Sequence, residues 1–477
     1  MTPKEMAKLI ENKAKNHRKF LMSSREAERY YRNENDILYK SRKSREVEPL
    51  RNADNRIPRN FHGLLVNQKA AYMFTAPPLF DVGEKEANLK IADILGDRYA
   101  KVCKDLCVNA SNSSVAWLHY WVTEEGKFEY GVVDSKQMIP IFSSDLSQKL
   151  LGVFRNYKIL EEKDGEEIVI WEYWTEKESF AFQTKAKGYS HLDLQYYPFY
   201  SDSPEIEDDY YLPHNYGEVP FIPFYNNNIE KNDLNDMKPL IDAYDKVFSG
   251  FLNDLEDTQE IIFVLTNYGG TDLEEFLQDL KKYKAIKLED DGSGEGKGNL
   301  ETLTISIPIE AREKFLEITR KAIFEQGMGV DPDPQKFGNA SGVALKYLYS
   351  LLELKSGFME TEFKLSFARL IRAICRYLKV ECKQIIQTWT RTAVTNDAEM
   401  AEICQKSVGI VSTESVLRAH PLVENVEREK EQLEAEEKQA QKKADLYAGI
   451  FPVEEELKKE KVAEKTEGVK KDGETGN

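Results

Sequence analysis

The sequence predicts an α+β chain, mostly helical, on three observations. Apolar residues step by three and four through several long segments. They alternate with period two from Ser114 to Thr184. A short mixed segment near 261–306 stands between two long helical stretches.

Length and composition bound the class. The 477 residues leave room for about two to four domains at roughly 100–200 residues each. A hydrophobic fraction of 41% supports real cores, and 31% charged residues with a net charge of −17 make the surface acidic. Such a balance argues against tight nucleic-acid binding, which needs concentrated Lys and Arg. The first twenty residues form a charged amphipathic segment without the apolar core of a secretory signal. No stretch approaches the ~20 apolar residues of a membrane span, so no membrane partner is expected. Cys103, Cys107, Cys375, Cys382 and Cys404 form no CxxC pair and read as free thiols of a reducing cytoplasm, mostly small core residues.

Residues 1–76 read as mainly helical. Met6, Ile10, Ala14 and His17 to Leu21 share a stripe, and Ser23 to Glu26 offers caps for a segment ending near Tyr39. Asn60 to Phe74 reads as an amphipathic helix stopped by Ala76-Pro77-Pro78, and Ala87 to Ala110 as one further helix. From Ser114, VAWLHYWV and FEYGVV flank the glycine-bearing turn EEGK, a hairpin signal. Met138 to Phe142, Gly152 to Leu160, Ile168 to Trp174 and Ser179 to Thr184 continue the alternation into one antiparallel sheet. Its aromatics, Trp117, Tyr120, Trp121, Trp171, Tyr173 and Trp174, have no basic residues interleaved and read as packing rather than a base-stacking platform. His191 to Asn215 lacks periodicity, and VPFIPFYNNN suits an edge strand and a turn.

Asp233 to Glu260 reads as a long helix whose seam is Ile241, Tyr244, Phe248, Phe251 and Leu255. IIFVLTNY, AIKLED and LETLTIS read as strands, and Thr271 to Tyr283 as a helix capped by Thr271-Asp272-Leu273-Glu274. DGSGEGKGN lies between the last two strands as a hairpin loop. Ile307 to Val330 is helical again, with Ala311, Phe315, Ile318 and Ala322 repeating the seam. Val343 to Val380 would span about 57 Å at ~1.5 Å per residue, with Ser356-Gly357 as its expected kink. Shorter helices follow Glu381, with TESV at 413–416 as a cap and His420-Pro421 as a stop. Glu424 to Lys443 is charge-dense, with Leu433 almost its only large apolar residue, and the tail from Pro452 has the composition of disorder.

Asp331 to Gly342, DPDPQKFGNASG, cannot be helical. Pro332 and Pro334 break a helix and restrict the residues before them, while Gly338 and Gly342 permit unusual backbone angles.

Catalytic patterns are absent. Six scattered histidines make no HExxH or other metal-ligand spacing, and no G-x-S-x-G occurs. Gly292 to Gly298 is no phosphate loop: Asp291 stands where the first glycine belongs and Gly298 where the magnesium-binding hydroxyl belongs. Asp331 and Asp333 begin like a calcium loop, but Gln335 and Lys336 occupy the third ligand and the glycine positions. The expectation is therefore no enzyme, no cofactor and no metal.

Three segments, in order, resemble the portal proteins of tailed double-stranded DNA bacteriophages, in the branch typical of long-tailed phages of Gram-positive hosts. They are NRIPRNFHGLLVNQKAAYMFTAPP (55–78), VPFIPFYNNN with DMKPLIDAYDKVFSGFLNDLED (219–257), and QGMGVDPDPQKFGNASGVALKYLYSLLELK (326–355). The resemblance covers about residues 20–440 and implies a portal fold, the protomer of a dodecameric ring at one capsid vertex. It implies a wing (1–230), stem helices (231–260 and 307–330) and a clip (261–306). It also implies a tunnel loop (331–342), a long kinked wing helix (343–380), crown helices (381–445) and a charged tail (446–477). The implied partners are double-stranded DNA in transit without sequence specificity, the terminase large subunit, a head-completion adaptor, and the major capsid and scaffolding proteins. The implied location is the virion, with assembly in the host cytoplasm.

On this resemblance Asp331, Asp333, Gln335, Lys336, Asn339 and Ser341 are the DNA-channel residues. Charges beyond the Debye length of ~8 Å are largely screened, so this local, nearly neutral mixture matters more to DNA than the net charge. Ile241, Tyr244, Phe248, Phe251, Leu255, Phe315 and Ile318 would pack the stem. Thr271, Asp272, Glu274, Lys281 and Lys282 would meet clip partners. The competing class is a cytoplasmic structural or scaffolding protein of long helices without DNA passage.

Overall fold

The computed structural model describes residues 1–15, 17–39, 53–160, 165–185, 188–189, 191–198, 211–257, 262–266, 299–303, 308–332, 342–391, 397–423 and 426–450. The chain forms two compact units, Met1–Gly338 with Lys346–Ala393, and Asn339–Leu345 with Val394–Asn477.

The first unit opens with α1 (Pro3–Lys13) and α2 (His17–Tyr31). Thr2 and Glu5 form a reciprocal capping box at the start of α1, satisfying two backbone donors that a helix leaves open. The expected caps at Ser23 to Glu26 are corrected: these residues lie inside α2, where Ser23 Oγ accepts a hydrogen bond from Asn232 at 2.9 Å. In α3 (Phe61–Met73), capped by Asn60, the buried side is wider than one amphipathic stripe. Phe61, His62, Leu65, Val66, Lys69, Ala70 and Met73 are all buried, leaving only a narrow exposed stripe of Leu64, Asn67 and Ala71. The single helix expected over 87–110 is two, α4 (Lys85–Leu95) and α5 (Tyr99–Ser113), because Gly96 takes φ 59 between them.

Nine strands follow β1 (Leu79–Asp81): β2 (Val115–Val122), β3 (Phe128–Val133), β4 (Met138–Phe142), β5 (Leu150–Leu160), β6 (Glu167–Trp174), β7 (Glu178–Thr184), β8 (Gln195–Tyr196), β9 (Tyr211–Pro213) and β10 (Phe221–Tyr225). The one sheet expected is two. A three-stranded antiparallel sheet has the order β10-β2-β3, and a second has β4-β5-β6-β7-β8 with β9 also on β7. The division falls at the 3-10 turn Ser135–Gln137, where the Asp134 carboxylate accepts the Lys136 N–H at 3.0 Å and redirects the chain. β10 is an edge strand, a position that tolerates Pro223, which has no N–H to donate.

α6 (Lys238–Asp257) and α7 (Ile309–Gln326) pack together, and β11 (Ile262–Thr266) pairs antiparallel with β12 (Asn299–Leu303) between them. Both helices are shorter than expected. AIKLED and the helix expected at Thr271 to Tyr283 lie outside the described residues. α8 (Gly342–Leu378) is helical without interruption through Ser356 and Gly357, and β13 (Ile386–Thr388) pairs with β1.

Four apolar cores hold this unit. Met359, Phe363, Phe367, Leu370 and Ile374 of α8 pack against Cys103, Leu106, Cys107 and Ala110 of α5 and the inner face of β2, β3 and β10. A second core joins α2, α3, α6 and α7 through Tyr30, Phe61, Leu65, Ile241, Tyr244, Ile323 and Phe324. A third seats Met6, Ile10 and Ala14 on the larger sheet around Phe154, Trp171 and Phe182. Trp117, Trp174 and Phe221 form the fourth, so the aromatics of the strands are largely interior packing. Burial pushes the Cys103 thiol up to about 12 and the Cys107 thiol to about 11, which keeps both inert.

The second unit holds α9 (Asp397–Ser407), α10 (Thr413–Ala419) and α11 (Val426–Ile450). Ser412, one residue before the expected cap, accepts the Ser415 N–H at 3.3 Å, and His420 closes α10. Glu414 pairs with Arg418 at 3.4 Å and with Lys430 of α11 at 2.9 Å. The tail from Pro452 lies outside the described residues.

Candidate functional site

The segment from Asp331 to Gly342 lies in the chain between α7 and α8, and the structure shows how its start is held. At the outgoing end Gly327 N–H bonds Ile323 O at 2.8 Å, Met328 takes φ 52, and Gly329 N–H reaches back to Phe324 O at 3.0 Å. A Cβ on Gly327 would lie 2.5 Å from Met237 Sδ and 2.7 Å from Leu65 Cδ1. Glycine is required there by close packing, not by its backbone angle. Gln68 of α3 then clamps the chain like a neighbouring strand: its Nε2 donates to Val330 O at 2.7 Å, and its Oε1 accepts Val330 N–H at 3.1 Å. Asp331 is bound by Arg320 of α7 at 2.6 Å.

Beneath this exit lies a buried charge cluster. Lys69 of α3 is 2.6 Å from Asp233 and donates to Asn226 Oδ1 at 2.7 Å. Lys355 of α8 is 3.1 Å from the same Asp233 oxygen and donates to Gly327 O at 2.9 Å. Asn226 Nδ2 fills the other Asp233 oxygen at 2.9 Å, and Asp233 N–H bonds Ser111 O at 2.9 Å. Burial opposes the Asp233 charge, but Lys355 and Lys69 overcome it and hold the carboxyl well below its usual range. Burial lowers the affinity of Lys355 for its proton, against the attraction of Asp233. Five parts of the fold meet here: α3, α5, the turn after β10, the end of α7, and α8. Nearby, His62 Nε2 meets Asn112 Oδ1 at 2.8 Å, and burial pulls its pKa to about 4, so it is neutral.

Further along, the outer side of α8 is held. Arg391 pairs with both Glu353 and Glu360, and Tyr72 donates to Glu353 at 2.7 Å. Burial, then Glu353, pushes the Tyr72 hydroxyl up to about 12. Tyr72 stacks on Tyr349 at 5.8 Å, and together they wall an open groove of about 520 Å³ with Gln68, Ala71, Val330 and Pro332.

Of the six expected channel residues, Asp331 is half-buried and paired; Asp333, Gln335, Lys336, Asn339 and Ser341 lie outside the described residues. Thr271, Asp272, Glu274, Lys281 and Lys282 also lie outside them. Among the expected stem residues Ile241 and Tyr244 are buried and Phe248 packs against the same core. Phe251 is half-buried with Arg312 over its ring at 5.6 Å, whereas Leu255, Phe315 and Ile318 are exposed. Arg312 of α7 pairs with Asp254 of α6, Leu316 and Ile323 pack into the core shared with α6, and Ala311 and Phe315 border an open groove with Val247 and Gly250 of α6. The residues that hold the loop, Gln68, Lys69, Asp233, Arg320 and Lys355, were not singled out by pattern, since isolated polar residues carry no period. Among the described residues no His, Cys, Asp and Glu cluster is suited to a metal, and no helix is long and apolar enough to cross a membrane. The arrangement positions a chain segment; it presents no activated nucleophile.

Residues 10–443 match a family model described as phage portal protein, SPP1 Gp6-like. The chain is 46% identical over 445 residues to the portal protein of Clostridium phage phiCD119, covering 88% of this chain and 94% of that protein. It is 29% identical over 431 residues to the portal protein of Bacillus phage SPP1, covering 86% and 82%. A solved neck of an empty gene transfer agent particle aligns at a TM-score of 0.43 with 13% identity, over 74% of this chain and 88% of that one.

Proposed function

This chain belongs to the SPP1 Gp6-like family of phage portal proteins, and from that membership we propose the parts its segments play. A portal protein forms a ring at one capsid vertex and serves as the channel for the genome. It is a structural component of the virion, and the ATP-driven motor is a different protein. The fold is the α+β, mostly helical one expected.

In this reading the segment 331–342 projects into the channel and touches the phosphate backbone of passing DNA without reading bases. The terminase large subunit and later a head-completion adaptor dock on the clip, at 261–306, with assembly in the host cytoplasm. The observation that supports the reading is the anchorage of that segment's base. Gln68 and Arg320 pin its start, and Lys355 ties α8 to the carbonyl of Gly327. A loop that bears on moving DNA needs a fixed base, and these contacts give it one at the end of α7. Weak, mixed polarity in 331–342 suits transit, because concentrated Lys and Arg would retain DNA.

The test replaces Gln335 and Lys336 with alanine. Rings should assemble normally while DNA filling of capsids falls; normal filling would remove the transport role.

A further inference from the structure

Two faces of the first unit carry apolar residues that stay exposed among the described residues. On α8, Tyr347, Leu351, Leu354, Phe358 and Leu365 are exposed, Tyr347 at 81% and Phe358 and Leu365 at 62% each. They fall every three or four residues, with exposed Thr361 filling the one gap, which is the 3.5-residue period of a helix–helix seam. The opposite side of the same helix is fully used, since Leu352, Met359, Phe363 and Phe367 are buried. At ~1.5 Å per residue the seam runs about 27 Å. Tyr347 and Phe358 alone leave on the order of 300 Å² uncovered, given the roughly 150–250 Å² that an aromatic side chain can bury. That is already the size of a patch that marks an interaction site.

The register then turns basic. Arg369, Arg372 and Arg376 continue the same three-and-four spacing and are exposed. Arg376 pairs with Glu218, but among the described residues no carboxylate pairs with Arg369 or Arg372. The second face is on α7, where Ala311, Phe315, Ile318 and Ala322 are spaced four, three and four, with Phe315 42% and Ile318 58% exposed.

We propose that these stripes are two halves of one contact: the α8 seam of one copy seats on the α7 stripe of the next copy of this chain. Three observations select that occupant. The 3.5-residue period calls for a helix rather than a strand or a bilayer. The α8 seam continues into Arg369 and Arg372, which no carboxylate among the described residues pairs, and a second copy, with its net charge of −17, offers carboxylates to meet them. The two faces differ, so the contact is heterologous, and a heterologous contact closes into a ring when its rotation allows. A stable interface needs about 800 Å² per partner, so the seam is the apolar centre of a larger contact. The inference rests on the ring reading above and adds which helices make the joint.

The full-length chain is first sized by light scattering and electron microscopy; a wild type that stays monomeric overturns the ring reading itself. Given wild-type rings, Phe358→Glu and Ile318→Glu, both at exposed positions, should keep the circular dichroism of the wild type and raise the dissociation constant of the ring by at least about tenfold. Rings of undiminished stability in both variants overturn the proposal. The paired variants Phe358→Cys with Ile318→Cys, and Leu354→Cys with Phe315→Cys, made with Cys382→Ser, guard against a folding artefact. Oxidation should give an interchain ladder from at least one pair and none from the single variants. A ladder from Phe358→Cys alone, or none from either pair in intact rings, overturns the α7–α8 joint.

Discussion

Lys355 stands 3.1 Å from Asp233 and 2.9 Å from the carbonyl of Gly327, so one side chain ties the long helix α8 to the end of α7. Because Lys69 approaches the same carboxylate at 2.6 Å, two buried cations depend on one anion. Such a cluster contributes little net stability when intact, yet is costly to break from one side.

Asp233→Asn should therefore destabilise the protein by about 3–5 kcal/mol, the usual cost of stranding a buried charge. Lys355→Met should cost less, about 1–3 kcal/mol, mainly because Gly327 O loses its donor. Urea unfolding of both variants measures the order. The contribution of Asp233 has an acid limit. Its folded carboxyl titrates below the ordinary 3.8, so its stabilisation is complete above that value and is lost as pH falls through the folded pKa.

Asp245 should show the opposite pH dependence. It is buried on α6 and accepts hydrogen bonds from Asn35 at 2.6 Å and the Arg59 N–H at 2.9 Å, but burial raises its pKa from 3.8 to about 6. Between those values the folded state holds more protons than the unfolded state, so stability from this group falls as pH rises. Melting temperatures of the wild type and Asp245→Asn, compared from pH 4 to 7, should diverge in favour of the wild type as pH drops below 6.

Two glycines should respond with opposite sign to alanine. At Gly329 a Cβ would overlap Leu65 Cδ2 and come 3.0 Å from Gln68 Oε1, so Gly329→Ala should cost about 1–3 kcal/mol and loosen the Gln68 clamp. Gly357 lies inside α8 with nothing within 4 Å of its Cβ position, so Gly357→Ala should stabilise by about 0.5–1 kcal/mol. Thermal melts of the pair provide the comparison.

Gln68→Ala should release the start of the loop. Val330 is buried, and losing both amide contacts leaves its N–H and C=O without partners, a cost of about 1–3 kcal/mol per group. Limited proteolysis should cut 331–342 faster than in wild type. Arg320→Ala, which removes a half-exposed ion pair, should change the cutting rate much less.

The chain order of helices and strands was legible in the sequence, because burial of one face imposes a period that survives in the residues themselves. Strands β2 to β7 follow the alternation closely, and α6 and α7 bracket the β11–β12 pair as the change of period implied. Three resembling segments in order also carried the family. Breaks that depend on one residue were less legible: Gly96 divides a helix, and the turn after Asp134 divides a sheet, within patterns that continue across both.

Partnership was decided by the tertiary structure. Ile241 and Phe315 belong to equally regular seams, yet one is in the core and the other is exposed, since periodicity marks a face without saying what meets it. Lys69, Asp233 and Lys355 are separated by more than a hundred residues in sequence at each step, and as isolated charges they look like solvated surface. Only the packing of α3 and α8 around the turn after β10 brings them together, and that packing, not any local pattern, positions the end of α7 from which the segment at Asp331 starts.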